Sequence, residues 1–267
     1  SVCEKVGVRP CLDTQGAQLR TSGTGRFITA GSIIHLTPNK TDNKESKQRD
    51  LPANNISINH WDALKRQLSI NSTLRIDIDG LVCRIASISE EYITANVISG
   101  GTAGRNRAAD VIGSSIILSP LTQLDKQLVG SDVTLKSGIL FLSFTNSPED
   151  VLMTRQLVPS NTQIVSKIES QKGLINLPEI CHEADAILVD RGDLSREIGI
   201  SNIPAAVNNI LDQAKKYDCP VYIATNVLDS MLVDSLPSRA EISDIYSLLN
   251  AGVHGLVLAA ETAIGKN

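Results

Sequence analysis

Residues 186–194 read AILVDRGDL and give the clearest indication of the fold. Its first part, Ala186–Val189, is apolar on both faces, which is typical of a parallel strand buried between two layers of structure. Short runs of the same kind recur along the second half of the chain, at Ile139–Phe144, Gln163–Ile168, Val221–Ala224 and Val253–Ala259. These runs predict a series of buried parallel strands.

Helical signals lie between these runs. Ser147 followed by Pro148 is a helix cap with proline at the first helical position. Apolar residues from Ile203 to Ala214 recur at helical spacing and form one stripe. Ser238 begins a capping box ahead of another apolar periodic segment. Alternation of strand and helix predicts an α/β fold, and its repetition favours a (β/α)8 TIM-barrel type.

Residues from Thr24 to about Ile112 have a different pattern. Apolar and polar residues alternate up to Asp79-Gly80 and again after it, and this dipeptide between alternating runs predicts a β-hairpin. The polar segment Thr37–Asn55 is predicted to be a loop. We therefore expect a small antiparallel β-barrel domain inserted into the barrel. The predicted division is 1–22 barrel segment, 23–112 inserted domain and 113–267 barrel segment.

Composition excludes several classes of protein. The 267 residues carry a net charge of −4 without a basic stripe, which argues against nucleic acid as a partner. No apolar run approaches the ~20 residues that span a bilayer, and the first residues do not resemble a signal peptide. The five cysteines are scattered without a CxxC pair, which favours a reducing compartment. We expect a cytoplasmic protein, with the plastid stroma as the alternative.

Polar side chains follow the predicted strands at the ends where barrel enzymes place their chemistry. They are Ser143, Lys167, Glu169, Asp193 and Thr225. Lys167 and Glu169 are two apart in a strand and so point to one side. Glu169 and Asp193 could together hold a hard cation such as Mg2+, and Lys167 could neutralise a phosphoryl group or an enolate. The alternative interpretation is a set of ordinary salt-bridged residues at strand ends.

At these positions the sequence resembles the pyruvate kinase family. The motifs stand in the family's order over essentially the whole chain: LDTQG at 12–16 with RT at 20–21, SKIE at 166–169, RGDL at 191–194, ATN at 224–226, PSRAE at 237–241 and ETA at 261–263. The resemblance also implies that the barrel's first two strands precede this chain, which would then be part of a larger polypeptide or homo-oligomer.

The resemblance implies transfer of a phosphoryl group from phosphoenolpyruvate to ADP, giving pyruvate and ATP in glycolysis. Glu169 and Asp193 would ligate Mg2+ (or Mn2+), with Lys167 at the phosphoryl group and Thr225 beside the enolate. Further implied roles are K+ binding by Asp13 and Thr14, substrate binding by Gly192, Arg191 and Ser143, and nucleotide binding by Arg20 and Arg107.

Asp190 departs from the family pattern, which has a small alanine beside the substrate at this position. An extra carboxylate there would repel the carboxylate of the substrate or change the ligand set of the metal. Two other functions therefore stay open: a non-catalytic pyruvate kinase-like subunit or scaffold, and a Mg-dependent enolate lyase or aldolase on the same barrel.

Overall fold

The computed structural model describes residues 7, 8, 10–16, 18–23, 25–39, 54–77, 80–104, 106–114, 116–130 and 138–265. The described strands are β1 (Leu12–Asp13), β2 (Thr21–Ser22), β3 (Arg26–Ile28), β4 (Ile33–Pro38), β5 (Asn55–Ile58), β6 (Thr73–Ile76), β7 (Leu81–Ile88), β8 (Ile93–Ser99), β9 (Gly101–Ala103), β10 (Ala109–Val111), β11 (Ile139–Leu142), β12 (Gln163–Ile168), β13 (Ala186–Asp190), β14 (Val221–Ala224) and β15 (Gly255–Val257). The described helices are α1 (Trp61–Gln67), α2 (Gln123–Val129), α3 (Pro148–Arg155), α4 (Gln171–Ile175), α5 (Leu177–Glu183), α6 (Arg191–Ile198), α7 (Ile203–Lys216), α8 (Arg239–Asn250) and α9 (Ala260–Ala263). None of the helices in this described part is both long and apolar enough to cross a membrane.

The chain divides into two compact units. The first comprises Ser1–Ala17 and Ser119–Asn267, and the second comprises Gln18–Leu118. The predicted inserted domain, residues 23–112, falls inside the second unit, whose bounds extend a few residues beyond it at each end.

The first unit is built on a six-stranded sheet with the order β1-β11-β12-β13-β14-β15. Every neighbouring pair in it is parallel. Helices connect the strands, as the alternation of patterns predicts. The strands Gln163–Ile168 and Val221–Ala224 have the predicted bounds.

Two predicted strands of this unit are shorter than expected. β11 ends at Leu142, since Phe144 adopts a positive φ of 52° that breaks the extended chain. β15 covers only Gly255–Val257, because the amide of Val253 donates to the carbonyl of Leu248 at the end of α8 instead of to a strand.

The core of the first unit lies between the sheet and its helices. Its centre includes three fully buried side chains from the adjacent strands β12, β13 and β14: Ile164, Ile187 and Ile223. The predicted stripe of α7 faces this core through Ile203, Val207, Ile210 and Ala214. The predicted cap at Ser147 with Pro148 opens α3, and the predicted capping box at Ser238 opens α8.

The second unit contains a seven-stranded sheet with the order β10-β6-β7-β8-β4-β5-β2 and a two-stranded sheet of β3 and β9. The strands on either side of Asp79-Gly80, β6 and β7, pair antiparallel, although residues 78 and 79 themselves lie outside the described residues. Most pairs are antiparallel as predicted, but β4 and β5 are parallel. A parallel pair needs a long connection, which the segment predicted as a loop supplies; its residues 40–53 lie outside the described part.

Helix α1 was not predicted from the sequence. It places Trp61 and Leu64 in the core of the second unit. Seven residues with two buried side chains give too short a periodic pattern for sequence analysis to separate from a loop.

Candidate active site

The chemistry-bearing residues meet at one edge of the parallel sheet. Glu169 follows β12 directly, Asp190 ends β13 and Thr225 follows β14. The register pairs Ile168 with Val189 and Asp190 with Ala224, so these strand ends are level. Carboxyl ends of parallel strands lie on the same side of a sheet, which explains why residues distant in sequence converge here.

Lys167 and Glu169 form a buried ion pair at this edge. The Lys167 Nζ atom lies 3.0 Å from Glu169 Oε1, and the two side chains are 12% and 1% exposed. Lys167 also contacts Asp13 Oδ2 at 3.4 Å and donates to Ser143 Oγ at 3.2 Å. Glu169 accepts a further hydrogen bond of 2.6 Å from the amide of Phe144. Lys167 and Glu169 therefore point to the same side of the sheet edge, as predicted.

The ionisation of this pair reflects an excess of negative charge. Burial raises the pKa of Glu169 to about 7; Lys167 opposes this rise, and the charges of Asp190 and Asp193 add to it. Burial by itself lowers the pKa of Lys167, but the charges of Glu169 and Asp13 outweigh it and hold that pKa above its ordinary value. Burial is thus the main cause of the raised pKa of Glu169, whereas neighbouring carboxylates cause the raised pKa of Lys167.

Three carboxylates lie together beside the lysine. One ligand atom each from Glu169, Asp190 and Asp193 lie within 4.8 Å of one another. Carboxylate oxygens are the ligands that Mg2+ and Mn2+ prefer, and a spacing of this size suits ligands of one ion. The donor set therefore fits a divalent cation.

Asp190 caps helix α6. Its Oδ1 atom accepts hydrogen bonds from the amides of Gly192 at 3.1 Å and Asp193 at 3.3 Å. Thr225 Oγ1 lies 3.1 Å from the same oxygen. Asp190 is 9% exposed. A helix N-terminus favours a negative charge, so the helix stabilises this carboxylate in its buried position.

Thr225 sits in a strained turn that Arg191 fixes. Thr225 and Asn226 have positive φ values of 63° and 53°. The guanidinium of Arg191 donates to both of their carbonyls and forms an ion pair of 2.7 Å with Asp244. The hydroxyl of Thr225 accepts from the amide of Gly192 at 2.8 Å. Arg191 thus positions the turn that carries Thr225.

Comparison with known proteins decides the family. The family described as "Pyruvate kinase, barrel domain" matches residues 2–267. The chain belongs to the pyruvate kinase family. It is 30% identical to the pyruvate kinase of Thermotoga maritima over 270 residues, which cover 99% of this chain and 56% of that relative. It is 32% identical to the pyruvate kinase of Encephalitozoon cuniculi over 75% of this chain and 47% of that relative.

Solved structures agree with this assignment and confirm the predicted fold class. A crystal structure of a pyruvate kinase from Cryptosporidium parvum has a TM-score of 0.83 and is 28% identical, covering 97% of this chain and 55% of that chain. Another from the same organism has a TM-score of 0.81 at 27% identity, with 98% and 55% covered. The chain thus spans about half the length of the pyruvate kinases that it matches.

The residues predicted to bind K+ form a second oxygen cluster in this pyruvate kinase barrel. Thr14 Oγ1 accepts from the amide of Ser143 at 2.9 Å. Ser143 Oγ lies 2.7 Å from the carbonyl of Thr14 and 3.1 Å from Asp13 Oδ1. Lys167 contacts Asp13 and Ser143 and so links this cluster to Glu169. The role of Asp13 and Thr14 towards K+ stays a prediction.

The two residues predicted to bind nucleotide lie in the second unit. Arg20 donates to the carbonyl of Asn106 at 3.2 Å. Arg107 forms an ion pair with Asp77. Their role towards a nucleotide stays a prediction.

Several contacts that hold the site together have no signal in the sequence. Asp244, the partner of Arg191, lies on α8, 53 residues away in sequence, and no local pattern indicates it. The capping role of Asp190 could have been found, because aspartate immediately before a helix is a preferred N-cap. The amide of Phe144 could not have been found, since its orientation towards Glu169 depends on a positive φ.

Proposed function

We propose that this chain carries the catalytic centre for phosphoryl transfer between phosphoenolpyruvate and ADP, giving pyruvate and ATP. The observation that carries the proposal is the buried Lys167, paired with Glu169 at 3.0 Å beside the carboxylates of Asp190 and Asp193. A buried lysine can neutralise a phosphoryl group while the adjacent carboxylates bind the cation that accompanies it. Such an arrangement suits phosphoryl transfer, which depends mainly on positioning and charge.

The roles follow from the chemistry of each side chain. Glu169 and Asp193 would hold Mg2+ or Mn2+, which when bound supplies charge neutralisation and orientation of phosphoryl oxygens. Lys167 would neutralise the charge that develops on the transferred group. The bond between phosphorus and the enol oxygen breaks, a bond to a β-phosphate oxygen of ADP forms, and the enolate carbon takes one proton. Thr225 would help to deliver that proton through bound water.

The remaining predicted residues complete the proposal. Asp13 and Thr14 would hold K+, and Gly192, Arg191 and Ser143 would bind or frame the substrate. Arg20 and Arg107 would meet the nucleotide. The support for these roles is the resemblance in sequence, together with the oxygen cluster around Ser143.

The test is turnover of phosphoenolpyruvate by the full-length protein. Pyruvate formation is coupled to lactate dehydrogenase with ADP, Mg2+ and K+ present, for wild type, Lys167→Met and the matched control Lys216→Met. Lys216 is an exposed lysine at the end of α7. We expect Lys167→Met to lower kcat by about a hundredfold or more, as for other groups that stabilise a transition state, and Lys216→Met to leave it unchanged.

Two results contradict the proposal. Absence of turnover in a wild-type protein that binds Mn2+ would favour a non-catalytic subunit. Cleavage of a 2-oxo acid with no requirement for ADP would favour the enolate lyase or aldolase.

A further inference from the structure

Asp190 is the carboxylate of the acidic cluster that caps helix α6. Its Oδ1 atom accepts the amides of Gly192 and Asp193 at 3.1 and 3.3 Å, and the hydroxyl of Thr225 lies at 3.1 Å. These three groups stand at the N-terminus of α6, where amides and helix dipole together bind anions. The protein therefore satisfies an anion-binding set with a carboxylate of its own.

The packing leaves little room for a second acceptor at these donors. A Cβ atom built on Gly192 would lie 3.3 Å from Asp190 Oδ1 and 3.4 Å from Thr225 Oγ1. Asp190 is nine-tenths buried, and within the described residues no hydrogen bond reaches its Oδ2 atom. One oxygen is thus committed to the helix, while the carboxylate also lies within 4.8 Å of ligand atoms of Glu169 and Asp193.

The balance of charge also disfavours a second carboxylate at these donors. Three carboxylates, those of Glu169, Asp190 and Asp193, lie together beside two cationic side chains. Lys167 is 3.0 Å from Glu169 and Arg196 is 3.8 Å from Asp193, so the carboxylates outnumber the cations. A divalent cation would neutralise this excess without help from a bound substrate. An incoming carboxylate, by contrast, would meet both occupied donors and an unfavourable charge.

The geometry points to Asp190 as an internal carboxylate that takes the place of a substrate carboxylate at the N-terminus of α6 and supplies a third acidic group to the cation. Asp190 is then a specificity-determining residue that weakens binding of carboxylated substrates and strengthens binding of the divalent cation. The inference rests on the proposed function, since the carboxylate in question is that of phosphoenolpyruvate.

The test separates donor occupation from charge. Asp190→Ala removes both the acceptor and the charge, whereas Asp190→Asn removes the charge and keeps an oxygen that can accept the amides. Asp212→Ala is the matched control, because Asp212 is an exposed carboxylate on α7 of the same unit. Full-length proteins are titrated with Mn2+ by electron paramagnetic resonance, and with phosphoenolpyruvate in the presence of Mg2+ by calorimetry.

We expect Asp190→Ala to bind phosphoenolpyruvate about tenfold or more tightly than wild type, the size of a freed set of charge-assisted hydrogen bonds. Both Asp190 variants should bind Mn2+ about tenfold more weakly, as expected for loss of one charged contact. Asp190→Asn should gain clearly less phosphoenolpyruvate affinity than Asp190→Ala, and Asp212→Ala should match wild type. If Asp190→Ala does not fold, Asp190→Gly replaces it, since glycine is well tolerated at an N-cap.

An unchanged affinity for phosphoenolpyruvate in Asp190→Ala would overturn the inference, and so would an equal gain in Asp190→Asn, which would assign the effect to charge alone. A failure of the proposed function can be distinguished from a failure of this inference. If the affinities change as expected but no variant transfers a phosphoryl group to ADP, the inference about Asp190 stands and the reaction is wrong. If wild type turns over efficiently and Asp190→Ala brings no improvement in KM, the reaction stands and the inference is wrong.

Discussion

Replacing Lys167 by methionine should destabilise the first unit more than any surface change, because it leaves a buried carboxylate without its cation. Lys167 Nζ and Glu169 Oε1 are 3.0 Å apart, and the Glu169 side chain is only 1% exposed. Breaking a buried ion pair on one side costs about 3–5 kcal/mol. The contact with Asp13, whose side chain is 58% exposed, adds less than about 1 kcal/mol. Methionine keeps most of the aliphatic packing, so the loss reports the charge.

The assay is urea unfolding of the full-length protein with EDTA present, so that no bound cation compensates for the lost charge. Wild type, Lys167→Met, Glu169→Gln and the double variant form a cycle, with Lys216→Met as an exposed control. We expect the double variant to be more stable than the sum of the single losses predicts, by about 1–3 kcal/mol, as for groups in direct contact. The control should change the free energy of unfolding by less than about 0.5 kcal/mol.

Two results would refute this reasoning. If Lys167→Met costs less than about 1 kcal/mol, the pair behaves like a surface salt bridge and is not buried in solution. If the single losses simply add, Lys167 and Glu169 do not interact and the proposed site loses its central contact.

Two further predictions concern the fold. Ile187 is fully buried on the central strand β13, so Ile187→Ala should lower the free energy of unfolding by about 2–5 kcal/mol, whereas Ile175→Ala, at a 70% exposed position, should have little effect in the same urea titration. Hydrogen bonds from the hydroxyl and amide of Ser230 and from the amide of Ser238 lower the pKa of Glu241 from 4.5 to about 2. The stabilisation by Glu241 is therefore present above pH 4.5 and is lost as the pH falls towards 2. The difference in Tm between wild type and Glu241→Gln should shrink over that interval, and a constant difference would contradict the assigned pKa.

Much of the first unit could be predicted because its signals are local. A strand buried on both faces must be apolar throughout, so Gln163–Ile168 and Val221–Ala224 are recognised with their correct bounds. Helix starts at Ser147 and Ser238 are predicted for a similar reason, since a cap involves residues only three apart. Convergence of Lys167, Glu169 and Asp193 also follows, because parallel strands direct their carboxyl ends to one edge.

Pairing between segments distant along the chain could not be predicted in the same way. The inserted domain was expected to be antiparallel, but β4 pairs with β5 in parallel. No local pattern predicts β5, and the direction in which two strands pair depends on the course of the connection between them. The short helix α1 owes its existence to the burial of Trp61 and Leu64 in a core that other strands create.

The side chains that could do chemistry, and the strand ends at which they stand, follow from the sequence, because residue type and periodicity are properties of short segments. The distant groups that Asp190 meets depend on the assembled sheet. From the sequence, Asp190 is an extra carboxylate that either repels a substrate or joins a metal. The amides of Gly192 and Asp193 that Asp190 caps are local, at 3.1 and 3.3 Å, whereas the sheet brings the hydroxyl of Thr225 to 3.1 Å from the same oxygen. The contact between Thr225 and Asp190 joins residues 35 apart in sequence. It depends on the register of β13 against β14, which forms only when the sheet assembles.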